Sequence, residues 1–201
     1  PAEEPVEAPA EEPVEEPAAG LLSEQALIDC AWPYGPQGCD GGEDALAYLW
    51  MKGAGGLPRV QGYGSYLNAD GACHANSSRA MRGAVQVRGF YEVIPDDEYA
   101  LKAVLAHRGP VSVSIDASPP SFYFYAGGIY DAGKHECATD YLKADHVVML
   151  VGYGKDEATG IGYWILRNSW GEFWGEGGYM RIAMEGNTCG VANHATFPIL
   201  G

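Results

Sequence analysis

The chain has 201 residues, 47% of them hydrophobic and 19% charged, with a formal net charge of -15. That length suits one sizeable domain or two small lobes sharing a cleft, and that composition can bury a core. The acidic balance and the lack of any run of about 18 apolar residues argue against a nucleic-acid partner, an anionic-membrane partner and a membrane span. The chain opens on Pro1 with no secretory signal, so we expect a beginning that was processed away or a partial sequence.

Residues 1–20 are of low complexity. Pro1, Pro5, Pro9, Pro13 and Pro17 recur every four residues, with seven glutamates and no basic residue among them. Proline at that spacing blocks a continuous helix, and glutamates that repel one another extend the chain. The segment reads as a disordered, partly polyproline-II acidic tail. The remaining residues hold 20 acids and 12 bases.

Composition changes at Gly20. Ser23 can cap a short helix, Glu24 to Cys30, and a second helix is predicted from Glu43 to Lys52, ended by Gly53. Residues 53–79 are loop-rich. Asp96 begins a third predicted helix with Leu101, Val104 and Leu105 on one face, stopped by Gly109-Pro110. From there the pattern turns to strand: Val111 to Ile115, His146 to Tyr153, Tyr163 to Asn168 and Tyr179 to Ile182. Helix and loop first, strand second, is an α+β arrangement and not a repeating βαβ one.

A histidine at the start of an apolar strand, as His146 is, is ordinarily a packed core residue. Here Asn168 opens a glycine- and tryptophan-rich turn. An asparagine carbonyl can accept the proton of one imidazole nitrogen, fix the ring and its tautomer, and leave the other nitrogen to face a nucleophile. Trp170 can shield such a bond from water or simply pack in the core.

Three stretches carry a resemblance. The first is Ser23-Glu24-Gln25-Ala26-Leu27-Ile28-Asp29-Cys30, followed by Gly38-Cys39-Asp40-Gly41-Gly42. The second is Lys143-Ala144-Asp145-His146-Val147-Val148, running into Val151-Gly152-Tyr153-Gly154. The third runs from Tyr163 through Asn168-Ser169-Trp170-Gly171 to Gly177-Gly178-Tyr179, with Asn187-Thr188-Cys189-Gly190 as a coda. In that order they resemble the signatures of papain-like, cathepsin L-like cysteine peptidases over residues 21–199. The resemblance implies a two-lobe α+β fold, with 21–90 a remnant of the helical lobe and 91–201 an antiparallel, barrel-like β lobe. It implies peptide-bond hydrolysis by acyl transfer, with His146 as base, Asn168 as its orienter and Trp170 as shield. A peptide or protein is the substrate, and no metal or other cofactor is called for.

By the same resemblance, Gly41 and Gly42 form a wall against which a substrate backbone pairs. Glu43, Asp44, Ser114, Ala144 and His194 line the pocket for the substrate's second residue, and Asp145 adjoins the histidine in the cleft. Two acids at that pocket suggest tolerance of a basic side chain. Cys30 is expected to pair with Cys73, and Cys137 with Cys189. Asn76-Ser77-Ser78 is an N-glycosylation pattern in a loop. Two disulfides imply an oxidising compartment: lysosomal, vacuolar or extracellular. A monomer is the favoured state.

One departure matters. The family's nucleophile lies in a C-G-[SA]-C-[WY] element, with the histidine and asparagine about 130–150 residues downstream. None of the five cysteines stands in such an element. The oxyanion-hole glutamine and most of the helix that the cysteine opens are missing with it, and Cys39 is left without its expected partner. Cys30 falls at a helix C-terminus, where the dipole disfavours a thiolate. Two readings stand: a peptidase chain that is truncated or misassembled, or a non-catalytic pseudopeptidase that grips peptides or a partner. As written, the chain is expected to be inactive.

Overall fold

The computed structural model describes residues 20–77, 79–130 and 136–201. Residues 1–19 of the acidic tail, Ser78 and residues 131–135 lie outside the described residues.

Ser23 caps the first helix, α1 (Glu24–Cys30), its hydroxyl accepting the Ala26 N–H at 3.2 Å. Helix α2 spans Asp44–Ala54 and runs past the glycine expected to stop it. Gly53 is there because a Cβ would strike the Tyr34 hydroxyl, and the helix ends instead on left-handed Gly55. A single turn, α3 (Val60–Tyr63), interrupts the expected loop. Helix α4 (Glu98–Arg108) begins two residues later than predicted, because Asp96 takes a positive φ and Asp97 is the cap that accepts the Ala100 N–H. A short turn of helix, α5, spans Pro120–Tyr123.

Seven strands form one sheet: β1 (Val87–Glu92), β2 (Val111–Ile115), β3 (Ile129–Tyr130), β4 (His146–Lys155), β5 (Gly162–Arg167), β6 (Tyr179–Ala183) and β7 (Ala195–Leu200). Their order is β1-β7-β2-β4-β5-β6-β3. The pairings are antiparallel except β3 with β6, which is parallel. The β lobe is therefore an open mixed sheet and not a closed barrel, since β1 and β3 end the order unpaired with each other. Strands β1, β3 and β7 were not read from the sequence. Gly89 and Pro198 interrupt the patterns of β1 and β7, and Pro198 lies past Ala195 and Thr196, where β7 leaves β2 and one side of the strand tolerates a missing donor.

Two cores follow. The first gathers Ala26, Cys30, Trp50, Met51, Leu57 and Tyr63 under the helices. The second packs Leu101 and Leu105 of α4 on the sheet residues Val113, Ile115, Leu150, Trp164, Leu166 and Met180. The arrangement is an α+β fold of two lobes. Helix α2 lies against β1, where Tyr48 stacks on Phe90 at 5.9 Å.

Candidate active site

Strands β4 and β5 are antiparallel, with Met149 opposite Arg167. The first residue of β4 and the residue just after β5 are therefore near neighbours. These are His146 and Asn168. His146 Nε2 lies 2.9 Å from Asn168 Oδ1. The same oxygen accepts the Ser169 N–H at 2.7 Å. That second bond fixes which end of the amide is the acceptor, so Nε2 must carry the proton. In the neutral ring the lone pair is then on Nδ1. Among the described residues nothing is hydrogen-bonded to Nδ1. The Trp170 indole covers one face of the ring, with centroids 5.0 Å apart, and is itself held by Tyr123 at 4.9 Å and Phe122 at 5.6 Å.

Asn168 is only 9% exposed, and its Nδ2 is buried without a partner. A buried amide donor left unmet costs about 1–3 kcal/mol. The site is an imidazole held by a buried amide, with, among the described residues, one unused lone pair and one unused donor.

Gly41 and Gly42, expected to form a wall, share a groove with Val147, the neighbour of His146. Gly41 has φ +110° and open space where a Cβ would be, so its outer face is bare. Gly42 is tight on the other side, where a Cβ would fall 2.7 Å from Pro36 Cβ. Both glycines, with Leu27 and Ile28 of α1, the acids Glu43 and Asp44, and Val147 beside His146, line a groove of about 250 Å³. Its floor is mostly apolar.

Of the residues expected to form the second-residue pocket, the structure brings Asp44, Ser114 and His194 together. His194 lies 3.3 Å from Ser114 Oγ, 3.7 Å from Asp44 Oδ1 and 3.8 Å from Glu92 Oε1. Asp44 is turned inward: its carboxylate also accepts the Ala45 N–H and the Thr196 hydroxyl. Glu43 is exposed and Ala144 half-buried. Asp145 uses one oxygen to hold the Ala117 N–H at 2.8 Å, which ties the end of β2 to the start of β4. Sequence reasoning missed Glu92 and Tyr141, whose ring lies 5.3 Å from that of His194. Glu92 was hidden because β1 carries no readable strand pattern. His194 also lines a further cavity of about 470 Å³, with Pro95, Asp96, Thr139, Asp140, Tyr141 and Asn193.

Cys30 is bridged to Cys73 and Cys137 to Cys189. Cys39 is free and exposed. Partial desolvation, then the Asp70 hydrogen bond and the nearby carboxylates of Asp70, Asp40 and Asp29, push its thiol up from the ordinary value, the opposite of what a nucleophile needs. Asn76 is exposed in a turn. Among the described residues no group of three His, Cys, Asp or Glu side chains could hold a metal, and no helix is long and apolar enough to cross a membrane.

Comparison with known proteins decides the family. A family profile described as "Papain family cysteine protease" matches residues 14–199. The chain belongs to the papain family. Cathepsin L of Sarcophaga peregrina is 43% identical over 178 residues, covering 88% of this chain and 50% of the relative. Cathepsin L2 of Homo sapiens is 41% identical over 180 residues, covering 88% and 52%. Among solved structures, the digestive procathepsin L 3 of the Tenebrio molitor larval midgut superposes with a TM-score of 0.78 at 37% identity, covering 90% of this chain and 56% of that one. The chain thus spans about half the length of the curated relatives it matches.

Proposed function

We propose that this chain is the acid–base portion of a papain-type cysteine peptidase that hydrolyses peptide bonds by acyl transfer. The observation that carries the reading is the His146 Nε2 to Asn168 Oδ1 bond, with the opposite nitrogen free. A thiol placed at Nδ1 would pass its proton there and attack the scissile carbonyl carbon as thiolate. His146 would then give that proton to the leaving amine. Afterwards it would take one from the water that cleaves the thioester. Trp170 keeps competing water off the imidazole.

The nucleophile, the oxyanion glutamine and the helix joining them are read as belonging to a segment outside these 201 residues. Four features support that reading: the open Nδ1, the unmet Asn168 Nδ2, the free Cys39, and the apolar groove between α1, α2 and Val147. The tail of residues 1–20 and the lobes at 21–90 and 91–201 complete the proposed organisation. Peptides or proteins are the proposed substrates, a monomer the proposed state, and a lysosomal, vacuolar or extracellular location the proposed setting. Asn76 is the proposed glycosylation site.

A second reading is a pseudopeptidase that holds peptides along Gly41-Gly42 without cutting. The absence of the nucleophile element from this sequence favours it. Sequencing the transcript upstream of Leu21 separates the two. A C-G-S-C-W element joined there supports the peptidase; a confirmed acidic tail with no such element supports the binding module.

A further inference from the structure

The Cys30–Cys73 bridge has a histidine beside it that the proposed chemistry does not use. His74 Nε2 lies 2.8 Å from the carbonyl oxygen of Tyr63, and its Nδ1 lies 3.1 Å from that of Ala72. The ring stacks on the Tyr63 phenol, with centroids 3.8 Å apart and planes 14° from parallel. A carbonyl oxygen only accepts, and a neutral imidazole has a single N–H. Both bonds can therefore exist together only in the imidazolium form.

The loop that His74 closes has work to do. Leu67 N–H donates to Gln25 Oε1 at 2.8 Å, and Gln25 Nε2 donates to the Ala69 carbonyl at 2.8 Å and to Asp29 at 2.7 Å. The Tyr63 hydroxyl donates to the other Asp29 oxygen at 2.8 Å. Asp70 accepts the Cys39 N–H at 2.8 Å, and Gly38 is so close to that carboxylate that a Cβ there would collide with it. Residues 64–74 thus fasten α1 to the turn that leads into Gly41 and Gly42.

We propose that His74 is an acid-locked clasp: as imidazolium it pins residues 64–74 through the Tyr63 and Ala72 carbonyls, and on deprotonation it releases one of them and slackens the Asp70 support of the glycine wall. The consequence for substrate rests on the reading of Gly41-Gly42 as that wall; the clasp itself does not.

Among the described residues, the titratable groups that act on the ring are Tyr63 and Asp29. Tyr63 comes from α3, Asp29 from α1, and the neighbouring disulfide is neutral; Asp70, on the same loop, is engaged by Cys39. Burial, then the Asp29 hydrogen bond, keeps the Tyr63 phenol protonated far above any pH of interest. The Tyr63 carbonyl, then the Ala72 carbonyl, raise the His74 value; partial desolvation opposes them and the Asp29 charge assists. A raised folded value adds stability that is complete below the unfolded value and lost as pH rises through the folded one. The window therefore opens above the ordinary histidine value of about 6.5.

The test is a ring-proton NMR titration of His74 in the 201-residue chain, with amide exchange at Cys39 and Leu67 followed over roughly pH 5–8, a range bracketing the ordinary histidine value. The expected midpoint lies above that of the same histidine in the urea-unfolded chain. Opening of the two amides, corrected for intrinsic exchange, should grow by up to about tenfold across the range for each unit of that lift. His74→Gln keeps a donor at every pH and should abolish the pH dependence. A midpoint at or below the unfolded value overturns the proposal, as does an unchanged pH dependence in H74Q. If H74Q does not fold, the wild-type titration alone decides. Either failure leaves the His146–Asn168 reading untouched, because probe labelling at a nucleophile tests that separately.

Discussion

Asn168 Oδ1 receives two N–H groups, from Ser169 at 2.7 Å and from His146 Nε2 at 2.9 Å, and the first bond settles the tautomer of the second. Flipping the amide would set its NH2 against the Ser169 N–H, donor against donor. In the full-length protein, Asn168→Ala should therefore lower kcat/KM by about 10²-fold by letting the base turn and change tautomer. Asn168→Asp keeps an acceptor, so it should lose less. Its carboxylate should also favour the imidazolium and move the basic limb of the pH–rate profile upward. Steady-state kinetics across pH on both variants checks this.

In the proposed second-residue pocket, His194 lies beside the exposed Glu92, and Glu43 is exposed next to Asp44, whose own carboxylate is engaged by Thr196 and the Ala45 N–H. Peptides with Arg or Lys as the second residue should be accepted at least as well as bulky apolar ones. Glu43→Gln and Glu92→Gln should each lower the basic-to-apolar ratio of kcat/KM a few-fold, whereas Asp44→Asn should show mainly as lost stability. A wild-type preference for bulky apolar residues would contradict this part of the account.

Glu176 accepts two bonds from Arg181, at 2.6 and 2.9 Å, and the Gly128 N–H at 2.9 Å. The Arg181 hydrogen bond, opposed by desolvation and helped by Gly128, the Arg181 charge and Tyr125, holds this carboxyl below its ordinary value. A lowered folded value means stability present above the unfolded value and lost as pH falls through the folded one. Both side chains are about a third exposed, at 30% and 33%, so screening limits the effect. Glu176→Gln should cost about 1 kcal/mol near neutrality, with the difference closing below about pH 4. Denaturation at a series of pH values reads it directly.

The Cys137–Cys189 bridge ties cysteines 52 residues apart and joins the segment after β3 to the turn before β7. Chain-entropy arguments assign a closed loop of that size about 4 kcal/mol. Replacing both cysteines by serine should lower the denaturation midpoint of the β lobe accordingly. No change in midpoint would show that the unfolded chain gains no freedom from the cut.

The sequence made α1 legible because Ser23 and a short amphipathic run both act locally. It made β2, β4, β5 and β6 legible because their apolar residues alternate over one buried face, whereas His146 and Asn168 were marked by the resemblance of their flanking motifs, a histidine at a strand start being ordinarily a core residue. It hid β1 and β7, which are paired mainly with each other across Gly89 and Pro198 and owe their existence to that partner. Glu92 was hidden with them. Gly53 looked like a helix stop because only the fold shows Tyr34 packed against it. The open edge of the sheet was equally invisible, since closure depends on contacts between β1 and β3 that no local pattern encodes.

These residues are proposed to supply the acid–base pair, with none of the five cysteines as nucleophile. Treating the 201-residue chain and the full-length protein side by side with an epoxide thiol-protease probe, and locating the label by mass spectrometry, tests it most directly. This chain should take no label that a peptide substrate can block, and the full-length protein should take a blockable label at a cysteine outside it. Blockable labelling of Cys39, or of any other cysteine within the chain, would contradict the account.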